Sequence, residues 1–144
     1  MKIGAMFSAG AFLAVLLCGG CSTVVSEEFE LPPASRVLTS AESNRTIPVR
    51  VGEYVMVTLK ENPTTGYSWF FQVDAASGAA GAIEIAGERY VNPESEMPGA
   101  GGSRQVMIRA VRSGTGVLTG NCVRSWEKGI APLTTVKYTF EVAP

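Results

Sequence analysis

The chain contains no histidine. That removes the usual general base and the commonest metal ligand together. Catalytic triads, Cys-His dyads and His-containing zinc sites are thereby excluded. Aspartate occurs once, at Asp74, and the glutamates are scattered, so no carboxylate cluster suited to a metal is visible. Neither sign of charge is in excess: the formal net charge is -1, which provides no electrostatic footprint for nucleic acid or an anionic membrane surface. These absences weigh against a hydrolase. They predict a protein with no catalytic residues, no metal and no cofactor.

Cysteine is scarce and badly placed for cross-linking, with only Cys18, Cys21 and Cys122. The first two belong to the N-terminal segment. There Lys2 precedes an apolar run at residues 3–17, followed by Cys18-Gly19-Gly20-Cys21-Ser22. A positive start, a short apolar stretch and small residues at its end describe a secretory signal. The run is shorter than the ~20 residues a spanning helix needs. Leu17, Gly19, Gly20 and Cys21 resemble a bacterial lipobox, with Cys18 where an aliphatic residue is usual. The resemblance implies a lipoprotein signal peptide at 1–20 and lipidation of Cys21, and so a cell-envelope protein exported through its signal and anchored to a membrane by lipid. Ser22 implies the outer membrane if the source has two. Cys18 and Cys21 also spell C-x-x-C, but a redox motif belongs at the start of a helix after a strand, not at the end of a signal. Cleavage would leave Cys122 with no internal partner, so the fold rests on its core. Residues 21–34, polar, acidic and closed by Pro32-Pro33, read as a lipidated N-terminus and tether. Whether Val24, Val25 and Phe29 dock on the domain stays open at the level of sequence.

From residue 35 to 144 the pattern is of strands, without a convincing helical period. Short extended pieces are predicted at 37–39 and 46–51, and Pro48 makes the second an edge strand. Residues 54–59 alternate, with Val55, Val57 and Leu59 on one face. Residues 68–73 put Trp69, Phe71 and Val73 together; 82–91 contain Ile83 and Ile85; 104–111 align Val106, Ile108 and Ala110. A turn at 113–116 opens a run to Cys122, which reads as a buried strand residue rather than a nucleophile. The last strand alternates most regularly: Val136, Tyr138, Phe140 and Val142. Seven to eight short strands separated by turns predict an all-β fold, an immunoglobulin-like antiparallel β-sandwich. Its expected core is Val57, Leu59, Trp69, Phe71, Ile83, Val106, Ile108, Leu118, Val136, Tyr138 and Phe140. Each large apolar side chain contributes about 1.5–3 kcal/mol when fully buried.

Three connections stand apart from ordinary turns. The first is Asn62-Pro63-Thr64-Thr65-Gly66-Tyr67. Pro63 fixes its own φ and holds Asn62 extended, Gly66 supplies a positive φ, and the threonines are stiff at χ1. A short, rigid loop follows, and a loop already ordered loses little entropy on docking. The second, at 94–102, contains Gly99, Gly101 and Gly102; the third, at 123–133, contains Arg124-Ser125-Trp126. Loops between alternate strand pairs of a sandwich cluster at one end, so the three should project together.

These signatures, in this order, resemble the chagasin family of cysteine-peptidase inhibitors. The resemblance covers roughly residues 35–143. It departs at Ser125, where the family usually has proline. It implies a reversible, tight-binding inhibitor of papain-like (clan CA) cysteine peptidases that blocks the active-site cleft with three loops. Asn62, Pro63, Thr64, Thr65 and Gly66 would lie over the catalytic cysteine, and Tyr67 would join them in binding the peptidase. Gly99, Gly101 and Gly102 would grip one side of the cleft, and Arg124 and Trp126 the other. Trp126 would be the anchor, and Arg124 would either contact the peptidase or brace its own loop. The expected partners are papain-like peptidases and, through lipid, a membrane; a monomer without nucleic acid is expected.

Two rival readings are weighed against this one. Ser125-Trp126-Glu127-Lys128 matches the Ser-x-x-Lys of penicillin-recognising enzymes, but that motif needs a helix after the serine and a larger domain. Alternatively, the sandwich is a non-inhibitory envelope module for adhesion or assembly, using a sheet face or edge. Trp126 would then tuck back onto the domain as a plug, and the glycines would only span two strands.

Overall fold

The computed structural model describes residues 31–75, 81–95 and 97–144. The signal peptide read at 1–20, the lipidation site at Cys21 and the tether as far as residue 30 lie outside the described residues. The remainder forms eight strands: β1 (Arg36–Leu38), β2 (Arg45–Arg50), β3 (Tyr54–Glu61), β4 (Tyr67–Ala75), β5 (Ile83–Val91), β6 (Gly102–Ala110), β7 (Gly114–Arg124) and β8 (Thr134–Ala143). They make two four-stranded sheets, ordered β1-β3-β6-β5 and β2-β8-β7-β4. The expected sandwich is the fold.

Both edge strands at the N-terminal side run parallel to their neighbours, β1 beside β3 and β2 beside β8. All other pairings are antiparallel, so the sandwich departs from a purely antiparallel one at two edges. The cause is local. A 3-10 turn at Ser40–Glu42 carries the chain from one sheet to the other, and it is held by a capping box between Thr39 and Glu42. One turn of helix is too short to show a period in the sequence. Pro48 sits on the edge strand β2, as its missing N–H requires.

The inward faces interleave as the alternation predicts. Val57, Val106, Leu118, Tyr138 and Phe140 are fully enclosed, and Trp69 is 8% exposed. Phe71, expected in the core, is only partly buried against it. It stacks beside Trp69, with ring centroids 6.3 Å apart. On β7 the inward positions alternate small and large: Gly116, Leu118, Gly120 and Cys122. The gaps at the glycines are occupied by Ile83 and by Phe71 with Val136. Ile85 pairs with the inward-facing Ile108 yet remains partly exposed, at the point where a bulge between Ile85 and Gly87 shifts the register of β5. Gly114, read as part of a turn, instead opens β7 and pairs with Val142. Burial raises the pKa of the free Cys122 thiol, with a smaller push from the Glu61 charge. A thiol so placed is a poor nucleophile.

Candidate functional site

Three connections leave the same end of the sandwich: β3 to β4, β5 to β6, and β7 to β8. The first is the most ordered. Residues Pro63–Thr65 form a 3-10 turn with Asn62 as N-cap and Pro63 at its first position. The Asn62 side-chain oxygen accepts from the Thr64 N–H (3.2 Å) and from the Thr64 hydroxyl (2.6 Å). Gly66 closes the turn at φ 80°, the left-handed conformation expected of it.

Three of the loop's carbonyls are engaged. Asn62 C=O accepts from the Thr65 N–H and hydroxyl, and Pro63 C=O from the Gly66 N–H. Thr65 C=O accepts from Arg124 Nε at 3.1 Å. A peptidase needs an extended substrate whose scissile carbonyl can enter an oxyanion hole. This chain offers a curled turn with three carbonyls already engaged.

The second and third connections are tied to the first. Asn62 Nδ2 donates to Gly99 C=O at 3.0 Å. Gly101 packs so closely on Asn62 and the Glu61 carbonyl that a Cβ there would sit 3.1 Å from each. At Gly102 a Cβ would lie 2.1 Å from the Val91 carbonyl oxygen, and the Gly102 N–H donates to the Tyr90 hydroxyl at 2.9 Å. The glycines are therefore set by close backbone approach as well as by loop length. On the third connection, the Arg124 guanidinium lies over the Tyr67 ring, 4.4 Å from its centroid, and pairs with Glu127 at 3.1 Å. Arg124 thus braces its own loop and the first. Trp126 is 64% exposed, so it does not plug the domain. Its indole rests against Gly66, where a Cβ would come within 2.1 Å of Trp126 Cη2. Positive φ was a sufficient reason for glycine at 66; the indole is a second, visible only in three dimensions.

All eleven loop residues singled out in the sequence are thus brought to one end. No helix follows Ser125, which removes the context a Ser-x-x-Lys site requires. Other residues at this end were not foreseen. Met97, Ile130 and Leu133 are exposed apolar side chains on the second and third connections. Beneath the loops lies Glu61, whose side chain is 1% exposed and paired with Arg104 at 2.7 Å. Its hydrogen bond raises the Arg104 pKa above the ordinary guanidinium value, against the opposing effect of burial. One signal for Glu61 was available: it continues the inward phase of Val55, Val57 and Leu59.

Residues 48–142 match the family described as chagasin family peptidase inhibitor I42. Chagasin of Trypanosoma cruzi is 30% identical over 92 residues, which is 64% of this chain and 84% of that protein. The solution structure of Amebosin is 29% identical with a TM-score of 0.58, covering 78% of this chain and 100% of the other. The crystal structure of the cysteine protease inhibitor EhICP2 from Entamoeba histolytica has the higher TM-score of 0.66, covering 75% of this chain and 95% of that one. At 22% identity the EhICP2 likeness shows the fold alone.

Proposed function

The chain belongs to the chagasin family of peptidase inhibitors, an inhibitor family and not an enzyme family, and from that footing we propose that it blocks papain-like cysteine peptidases reversibly with its three-loop end. One observation carries the reading: the 62–66 turn, with the Asn62, Pro63 and Thr65 carbonyls engaged, stands between two loops that are bonded to it. In a papain-like site a thiolate stands beside an imidazolium and awaits an aligned carbonyl. The threonine-bearing turn occupies that space in a curled form that holds no carbonyl in an extended, in-line strand, so binding proceeds without cleavage. Preorganisation limits the entropy lost on docking. Trp126, aromatic, exposed and supported from beneath by Gly66, has the character of an interface anchor.

The location goes with the N-terminal sequence. On the lipobox resemblance, Cys21 carries lipid and the domain acts as a monomer at the surface of a membrane of the cell envelope. The charge balance remains unsuited to nucleic acid.

The experiment is a titration of the purified protein against papain, followed by substrate turnover. The expected result is tight, reversible inhibition with the inhibitor recovered uncut. Trp126→Ala should weaken inhibition by about 2 kcal/mol or more, roughly thirtyfold, as anchor truncations do. Its melting temperature should stay within a degree or two, because the indole buries little of the core. Papain and two further papain-like enzymes all running unimpeded would overturn the reading in favour of an assembly module.

A further inference from the structure

The first loop looks like a hairpin turn but is not one. β3 belongs to one sheet and β4 to the other, so no backbone ladder joins the two stems. β4 is also an edge strand, with β7 as its single neighbour. Side chains hold the stems instead. Glu61, the last residue of β3, accepts the backbone N–H of Trp69 on β4 at 2.8 Å. In return, Trp69 Nε1 donates to the Lys60 carbonyl at 2.9 Å. The same carboxylate receives Arg104 Nε at 3.2 Å and Nη2 at 2.7 Å. Arg104 sits on β6 two residues beyond Gly102, where the second loop ends. One buried carboxylate therefore spans both sheets and touches the roots of two loops. A buried charge is held only by such complete pairing.

We propose that Glu61 is a positioning residue for inhibition: through Trp69 and Arg104 it sets the separation of the first loop's stems and so keeps the 62–66 turn from relaxing into a cleavable, extended strand. The proposal rests on the inhibitory reading above. A carboxylate suits the task because it accepts from a neutral N–H and from a forked guanidinium at once, which no neutral side chain of the same size does. Relaxation of the stems would free the Asn62 and Pro63 carbonyls from their internal donors and present them to the peptidase. The protein would then be turned over as a substrate.

The test compares Glu61→Gln with Val106→Ala, a core truncation that takes no part in the Glu61 hydrogen bonds and supplies a reference loss of stability. Inhibition constants, intactness of the recovered inhibitor and amide exchange at Thr65, Gly66 and Trp69 are measured for each. Glu61→Gln should inhibit at least about tenfold more weakly, the size expected for one charge-assisted bond. It should be cut within residues 62–66 on prolonged incubation and exchange faster at those three amides. Val106→Ala should remain uncut at a comparable melting temperature. If Glu61→Gln fails to fold, Arg104→Gln, which removes the fork and leaves the Trp69 contact, takes its place with the same expectations. Uncut, full-strength inhibition by the Glu61 or Arg104 variant, or losses that merely track those of Val106→Ala, would overturn the proposal. Should the unaltered protein inhibit no peptidase, the functional reading fails, and the exchange rates alone still decide whether Glu61 orders the loop.

Discussion

Tyr138 shows how much one side chain does at the meeting of core and turn. Its ring is fully buried, and its hydroxyl donates to the Thr39 carbonyl at 2.7 Å, pinning the turn that passes the chain between sheets. Burial, with a smaller contribution from the Glu42 charge, pushes its pKa up to about 12. The folded state therefore holds a proton that the unfolded chain gives up near pH 10. The stabilisation is complete below pH 10 and is lost as the pH climbs to about 12, by at most roughly 2–3 kcal/mol. Urea midpoints at pH 8 and pH 11 should show about half of that fall, and Tyr138→Phe should flatten it while costing about 1 kcal/mol at pH 8 for the lost bond. Alternation placed Tyr138 inside; it could not say where the hydroxyl ends. Glu61 is a similar case. Its inward phase was legible, but its partners come from 8 and 43 residues away. Pairing across such separations depends on how the two sheets are stacked.

Among the elements, the loops divide by how local their chemistry is. The 62–66 turn is built from neighbours: a capping asparagine, a proline at the first helical position, a left-handed glycine. Its conformation could therefore be anticipated from six letters. The third loop could not. It lacks the proline that would stiffen it at 125, and its order comes from Arg124 reaching Thr65, Tyr67 and Glu127. Ser125→Pro tests how complete that substitute is. Proline there restricts the free loop, and no backbone bond of the Ser125 N–H stands among the described loop contacts. Inhibition should tighten by up to about fivefold, the equivalent of ~1 kcal/mol. No change in the dissociation rate would mean that the Arg124 brace already supplies all the order the loop needs.

For the molecule as a whole, the useful geometry is polar in the sense of having two ends. β1 starts beside the start of β3, with the Ser35 N–H on the Tyr54 carbonyl, and β8 ends at Ala143 beside Arg50. Both termini of the described body thus lie at the end away from the loops. β3 alone separates them by seven residue steps, about 23 Å at the usual strand rise. A chain held by its N-terminus should present the loops outward. Immobilising the protein through an N-terminal biotin should leave inhibition within about twofold of the free protein, since rigid docking needs no movement of the far end. A large loss on the bead, with activity restored on release, would mean that the peptidase also contacts the tethered end.

By itself the sequence determined the strands, their inward faces, the edge position of Pro48 and the shape of the first loop. All of these follow from periodicity and dihedral preference within a few residues. The tertiary structure alone decided the parallel edges, the bulge in β5, the indole of Trp126 over Gly66, and the span of Glu61 between sheets. Each of these depends on how one strand or loop meets another across the sandwich. No local preference encodes such contacts, because they exist only once both sheets have closed over one core.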